Sequence, residues 1–118
     1  MNKYKKSRYI LHRIYKLFRS ETIRFKFDSK LKKDRYGQVL YEQELDGWLI
    51  RVNPLDQPKE GIISTMLHEC LHILYEHKQE PEILKLEKMI YKCISDQQRE
   101  NFLILVSRRF KRKYNVDK

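Results

Sequence analysis

His68-Glu69-Cys70-Leu71-His72 has the form H-E-x-x-H. Side chains four apart on an α-helix project from the same face, so two imidazoles at this spacing can grip one metal ion. Zinc with two histidines, one further protein ligand and a water is the usual makeup of a catalytic zinc site. A glutamate next to the first histidine then points at the water position and can act as its base. The plain alternative is a pair of histidines exposed on a solvated helix, and the flanking residues decide between the two.

A helix is expected over 58–76, with Pro58 in its first turn. At about 100° per residue, Ile63, Met66, Leu67, Cys70, Ile73 and Leu74 gather on one side, with His68 and His72 opposite and Thr65 and Glu76 near them. An apolar back would fix the helix and leave the histidines on a polar face. Pro81 then suits a new helix start, and Ile83, Leu86, Ile90, Tyr91 and Ile94 form the next apolar stripe. Glu87 falls inside that stripe, whereas Lys85, Lys88 and Lys92 lie opposite. A carboxylate on an inner face is costly unless paired or metal-bound, so Glu87 is the expected third ligand, with a salt bridge as its alternative. Glu80 and Glu82, at or before the helix start, rank behind it. Tyr75, Tyr91 and His77 are candidates for a second oxyanion donor or for support of the ligands.

The remaining elements have to position this pair of helices. Residues 3–19 predict a helix with Ile10, Leu11, Ile14, Leu17 and Phe18 on one stripe and Lys/Arg on the other side. Ile23, Phe25 and Phe27 alternate with Arg24 and Lys26, as a half-buried strand does. A charged loop through Lys30–Arg35 leads to strands at Val39–Glu42 and Trp48–Asn53, with Asp46-Gly47 as a hairpin signal. Ser95-Asp96-Gln97-Gln98 resembles a capping box opening a last helix over about 96–112, and a polar tail follows from Lys113. The expected fold is α+β in one domain, residues 1–118: a helix, a small three-stranded, mostly antiparallel sheet, then the motif helix and two more.

Trp48–Pro54 (W-L-I-R-V-N-P), Thr65–His72 (T-M-L-H-E-C-L-H) and Leu84–Lys88 (L-K-L-E-K) resemble a very small gluzincin metallopeptidase, nearest the minigluzincins. The likeness covers roughly Trp48 to Gln98. It implies a zincin-like fold and a zinc-dependent metalloendopeptidase, with His68, His72 and Glu87 as zinc ligands and Glu69 as general base. It also implies that the strand before the motif, Trp48, Leu49, Ile50, Arg51, Val52 and Asn53, lines the cleft and pairs with an extended peptide substrate. One departure is Tyr91, which stands where many gluzincins carry an acidic residue supporting a histidine. His77 lies one residue short of the third histidine of metzincins and of YbeY-type ribosomal-RNA maturation proteins. No later histidine serves the pattern of SprT-like DNA-repair proteases.

Apolar residues are 41% and charged residues 36% of the chain, as in a soluble globular protein, and no apolar run approaches a membrane span. His12 and Arg13 interrupt the apolar residues near the N-terminus, so no signal-peptide core is expected. That reading, with only Cys70 and Cys93 present, favours a cytoplasmic setting. The net charge of +10 is uneven: residues 1–36 hold thirteen Lys/Arg against three acids, residues 37–80 three against eight, and residues 81–118 ten against five. Basic flanks around an acidic centre can bind nucleic acid, but a solvated, lysine-rich exterior is the reading preferred from sequence. The expected partner is a peptide or protein substrate, and the chain is expected to be a monomer. A domain this small has little wall around a cleft, so a latent enzyme covered by its tail or first helix is one form. The alternatives are a nucleic-acid-associated metal protein and a metal-binding protein without activity.

Overall fold

The computed structural model describes residues 2–20, 22–28, 30–31, 37–53 and 59–116. Helix α1 (Lys3–Arg19) opens on Asn2, whose side chain accepts the backbone N–H of Lys5 at 2.9 Å. This satisfies one of the donors that a helix start leaves unpaired. Its inner face, Ile10, Leu11, Ile14 and Phe18, is buried almost completely. Strands β1 (Ile23–Phe27), β2 (Gly37–Glu42) and β3 (Gly47–Val52) follow, then α2 (Lys59–Leu74), α3 (Glu80–Cys93) and α4 (Asp96–Val116). Pro58 and residues 32–35 of the expected charged loop lie outside the described residues. Helix α4 continues past the expected end at 112 and takes in most of the expected tail.

The α+β class is as expected, but the sheet is mixed rather than mostly antiparallel. Its order is β1-β3-β2, with β3 antiparallel to β2 and parallel to β1. Thus β3 lies in the centre. Ile23, Phe25, Val39, Trp48, Ile50 and Val52 share the face that meets the helices, while Arg24, Gln38, Leu40 and Arg51 share the other. On that outer face Arg24 pairs with Glu42, and Arg51 with Asp28.

The hairpin is also longer than Asp46-Gly47 alone would make it. A single 3₁₀ turn over Gln43–Leu45 precedes Asp46, which takes the left-handed conformation at φ 45°, one that Asp tolerates better than most residues. Gly47 begins β3 and is needed for space. A Cβ there would collide with the Thr22 carbonyl oxygen, which accepts the Trp48 N–H at 2.8 Å. That close approach lets the parallel β1–β3 pair start.

Phe18 joins the layers. Its ring lies 4.8 Å from that of Phe25 on β1 and 5.5 Å, edge-on, from that of Phe102 on α4. The capping box is present: Ser95 Oγ accepts the Gln98 N–H at 3.1 Å and Gln98 Oε1 accepts the Ser95 N–H at 2.8 Å. Among the described residues no helix is long and apolar enough to cross a membrane. Phe18→Ala should destabilise the fold by about 3–5 kcal/mol. Urea unfolding should register this as a lower midpoint at unchanged slope, and a loss of under about 1 kcal/mol would contradict the three-way packing.

Candidate metal centre

Ile63, Met66, Leu67, Cys70, Leu71 and Ile73 of α2 are buried, and this apolar back holds the helix between the sheet and its neighbours. Burial pushes the Cys70 thiol pKa up, so the cysteine within the motif stays neutral in the core. His68 and His72 leave from the other side into a cleft of about 750 Å³. Gly37, Gln38 and Val39 of β2 form one wall, Thr65, His68, Glu69 and His72 the floor, and Glu80, Leu84 and Glu87 of α3 the other wall. Among the described residues, no side chain of α1 or α4 lines it.

The two imidazole Nε2 atoms lie 3.2 Å apart. Both face one carboxylate, that of Glu80: Oε1 is 2.6 Å from His68 Nε2 and Oε2 is 2.9 Å from His72 Nε2. His68, His72 and Glu80 together offer ligand atoms within 4.8 Å of one another, a grouping able to hold a metal ion. Glu87 does not share this point. Its carboxylate lies behind His68, 3.8 Å from Nδ1, and accepts the Ser64 hydroxyl at 2.6 Å. The carboxylate grouped with the two Nε2 atoms is thus that of Glu80, whereas the expected ligand Glu87 lies on the Nδ1 side of His68.

The cause is the short link between α2 and α3. Residues 75–79 fold the chain back about Glu76, setting His72 beside Glu80 and Ser64 beside Glu87. Glu87 is buried, as its stripe predicts, and its carboxylate meets His68 from the Nδ1 side. The signal that would have found Glu80 is this register: it follows Glu76 by as many residues as His72 precedes it.

Glu69 is buried and on the cleft floor. The backbone of β2 passes close over it: a Cβ on Gly37 would stand 2.5 Å from Thr65 Cγ2 and 3.2 Å from Glu69 Oε1. The lack of a side chain at position 37 thus leaves Glu69 its place. Sequence reasoning missed both Gly37 and Ser64.

Other expected residues lie elsewhere. Tyr75 packs beneath the cations of Arg13 and Lys78, each 5.6 Å from its ring. His77 is exposed in the turn after α2. Tyr91 shares a second cavity of about 390 Å³ with Ser64 and Glu87, and Arg99 lies 4.8 Å over its ring. The hydroxyl that donates to Glu87 is that of Ser64. Nor can β3 pair with a substrate strand, because both its edges are bonded, to β1 and to β2. Ile50 and Val52 are core residues, Arg51 reaches Asp28 and Gln38, and Asn53 donates to the Leu31 carbonyl at 3.0 Å. The strand that lines the cleft is β2.

Facing Glu87, His68 has its pKa raised; burial opposes this, and the charges of Glu80, Glu87 and Glu69 reinforce it. For Glu87, burial works to raise the pKa, but the facing His68 imidazole and the hydrogen bond from Ser64 prevail and hold it below the usual carboxylate range. Metal-free protein should thus show His68 titrating above the ordinary value of about 6.5. His68 contributes its stability in full below about 6.5 and loses it as pH rises through its higher folded value, whereas Glu87 contributes in full above its ordinary value of about 4.3 and loses it as pH falls through its lower folded value. Glu87→Gln should bring the His68 pKa down in an imidazole NMR titration, and an unchanged value would rule out Glu87 as the main cause. No family model matches the chain, and neither does any curated protein or solved structure.

Proposed function

We propose that the protein is a zinc-dependent metallopeptidase of zincin type, with His68, His72 and Glu80 holding the ion and Glu69 acting as base. The observation that carries this is the convergence of two Nε2 atoms and one carboxylate on a single point beside a buried glutamate, in an open cleft. The donor set suits zinc. Ligand atoms at about 2.0–2.2 Å around a tetrahedral ion stand roughly 3.3 Å from one another. The 3.2 Å between the imidazole nitrogens matches this, and the Glu80 oxygens, at 2.6 and 2.9 Å, need to retreat by roughly 0.4–0.7 Å.

When bound, zinc would lower the pKa of a ligating water from about 15.7 toward 7 and polarise a peptide carbonyl. The chain's own residues do the rest. Glu69 accepts the proton of the attacking water and returns it to the leaving amine. Glu87, braced by Ser64, faces Nδ1 of His68 and so fixes the ring's orientation and tautomer, the support that metal-bound histidines usually have. Among the described residues the outer edge of β2 has no partner strand, so it can receive an extended peptide through its backbone groups.

Purified protein should bind one zinc per chain. Glu80→Gln should weaken binding more than Glu87→Gln, for which a loss of about 10- to 100-fold is expected of a supporting residue. Glu69→Gln should keep its zinc while hydrolysis of an unstructured polypeptide falls by about 10²- to 10⁴-fold. Zinc content near zero after loading, or undiminished hydrolysis in Glu69→Gln, would overturn the proposal.

A further inference from the structure

Helix α1 carries Lys3, Lys5, Lys6, Arg8, Arg13, Lys16 and Arg19 and no acidic residue. Its inner row is sealed in the core, so the outer row is fixed in direction. Lys5, Arg8, His12, Lys16 and Arg19 follow one another at steps of three and four, and all five are exposed. At a rise of about 1.5 Å per residue they form a straight row roughly 21 Å long. Arg24, Arg51, Lys78 and Arg99 each pair with a carboxylate, whereas among the described residues no base of α1 does. Tyr4 and Tyr9 are 64% and 56% exposed beside the row, and the Arg13 guanidinium lies 5.9 Å over the Tyr9 ring.

We propose that the outer face of α1 binds single-stranded nucleic acid, with Lys5, Arg8, Lys16 and Arg19 on phosphates of one strand and Tyr4 and Tyr9 on bases. A row of exposed cations complements a phosphate backbone, and exposed aromatic rings offer stacking platforms that only unpaired bases can use. An anionic membrane is the poorer fit. A helix that lies on a bilayer buries its apolar face there, and the apolar face of α1 is already occupied by the protein core. The surface is separate from the cleft and does not rest on the peptidase reading.

The test is fluorescence anisotropy with labelled 20-nucleotide single-stranded DNA and RNA and the matching duplex, between 50 and 200 mM salt. Binding should favour the single strands and weaken steeply with salt. Replacing Lys5, Arg8, Lys16 and Arg19 by Gln together should lower affinity more than tenfold and flatten the log–log salt slope by about 3, at roughly 0.7 per phosphate contact. Replacing the exposed Lys85, Lys88 and Lys92 of α3 by Gln should change affinity less than twofold. Absence of binding at 50 mM salt would overturn the proposal. So would an equal loss in the α3 variant, or tighter binding to phosphatidylserine vesicles than to the oligonucleotides.

Discussion

Two imidazole nitrogens 3.2 Å apart cannot face each other with two bare lone pairs; something positive has to lie between or beside them. An N–H hydrogen on one ring or a metal ion meets that requirement, and the Glu80 carboxylate lies within reach of both rings. The rest of the centre follows from keeping this trio together. A five-residue link returns the chain from α2 to α3, so the partner of His72 comes from the first turn of the next helix. Further along the same pair of helices, Ser64 and Glu87 meet behind His68. One antiparallel register therefore places both carboxylates, Glu80 at Nε2 and Glu87 on the Nδ1 side, around His68.

The sheet serves this arrangement from above. Because β3 lies between β1 and β2, both its edges are bonded, and its Arg51, with Asn53 just beyond its end, ties the sheet to Asp28 and Leu31. That leaves β2 as the strand over α2, near enough for Gly37 to pass beside Thr65 and Glu69. A glycine there trades conformational entropy for room at the base.

The existence and type of every α-helix and strand were legible, though not the 3₁₀ turn at Gln43–Leu45, since the stripes of α1, α2 and α3 and the alternation of β1 follow directly from which side chains must avoid water. The inward position of Glu87 was legible for the same reason. What periodicity does not carry is how one element is set against the next. Alternation in Trp48–Val52 says that a face is buried, not that both edges are bonded. A carboxylate on an apolar stripe says that something compensates it, not whether that is a metal or Ser64 with His68. Glu80 is more than half exposed at a helix start, so no burial signal marked it. Only the fold-back about Glu76 gives it meaning.

The central claim is the identity of the third donor, and the structure of the zinc-loaded protein, with the ion located by its anomalous scattering, tests it most directly. The account predicts one ion bound by Nε2 of His68, Nε2 of His72 and the carboxylate of Glu80, with Glu87 still at Nδ1 of His68. An ion bound directly by Glu87 with Glu80 turned to solvent, or no ion between the two histidines, would contradict it.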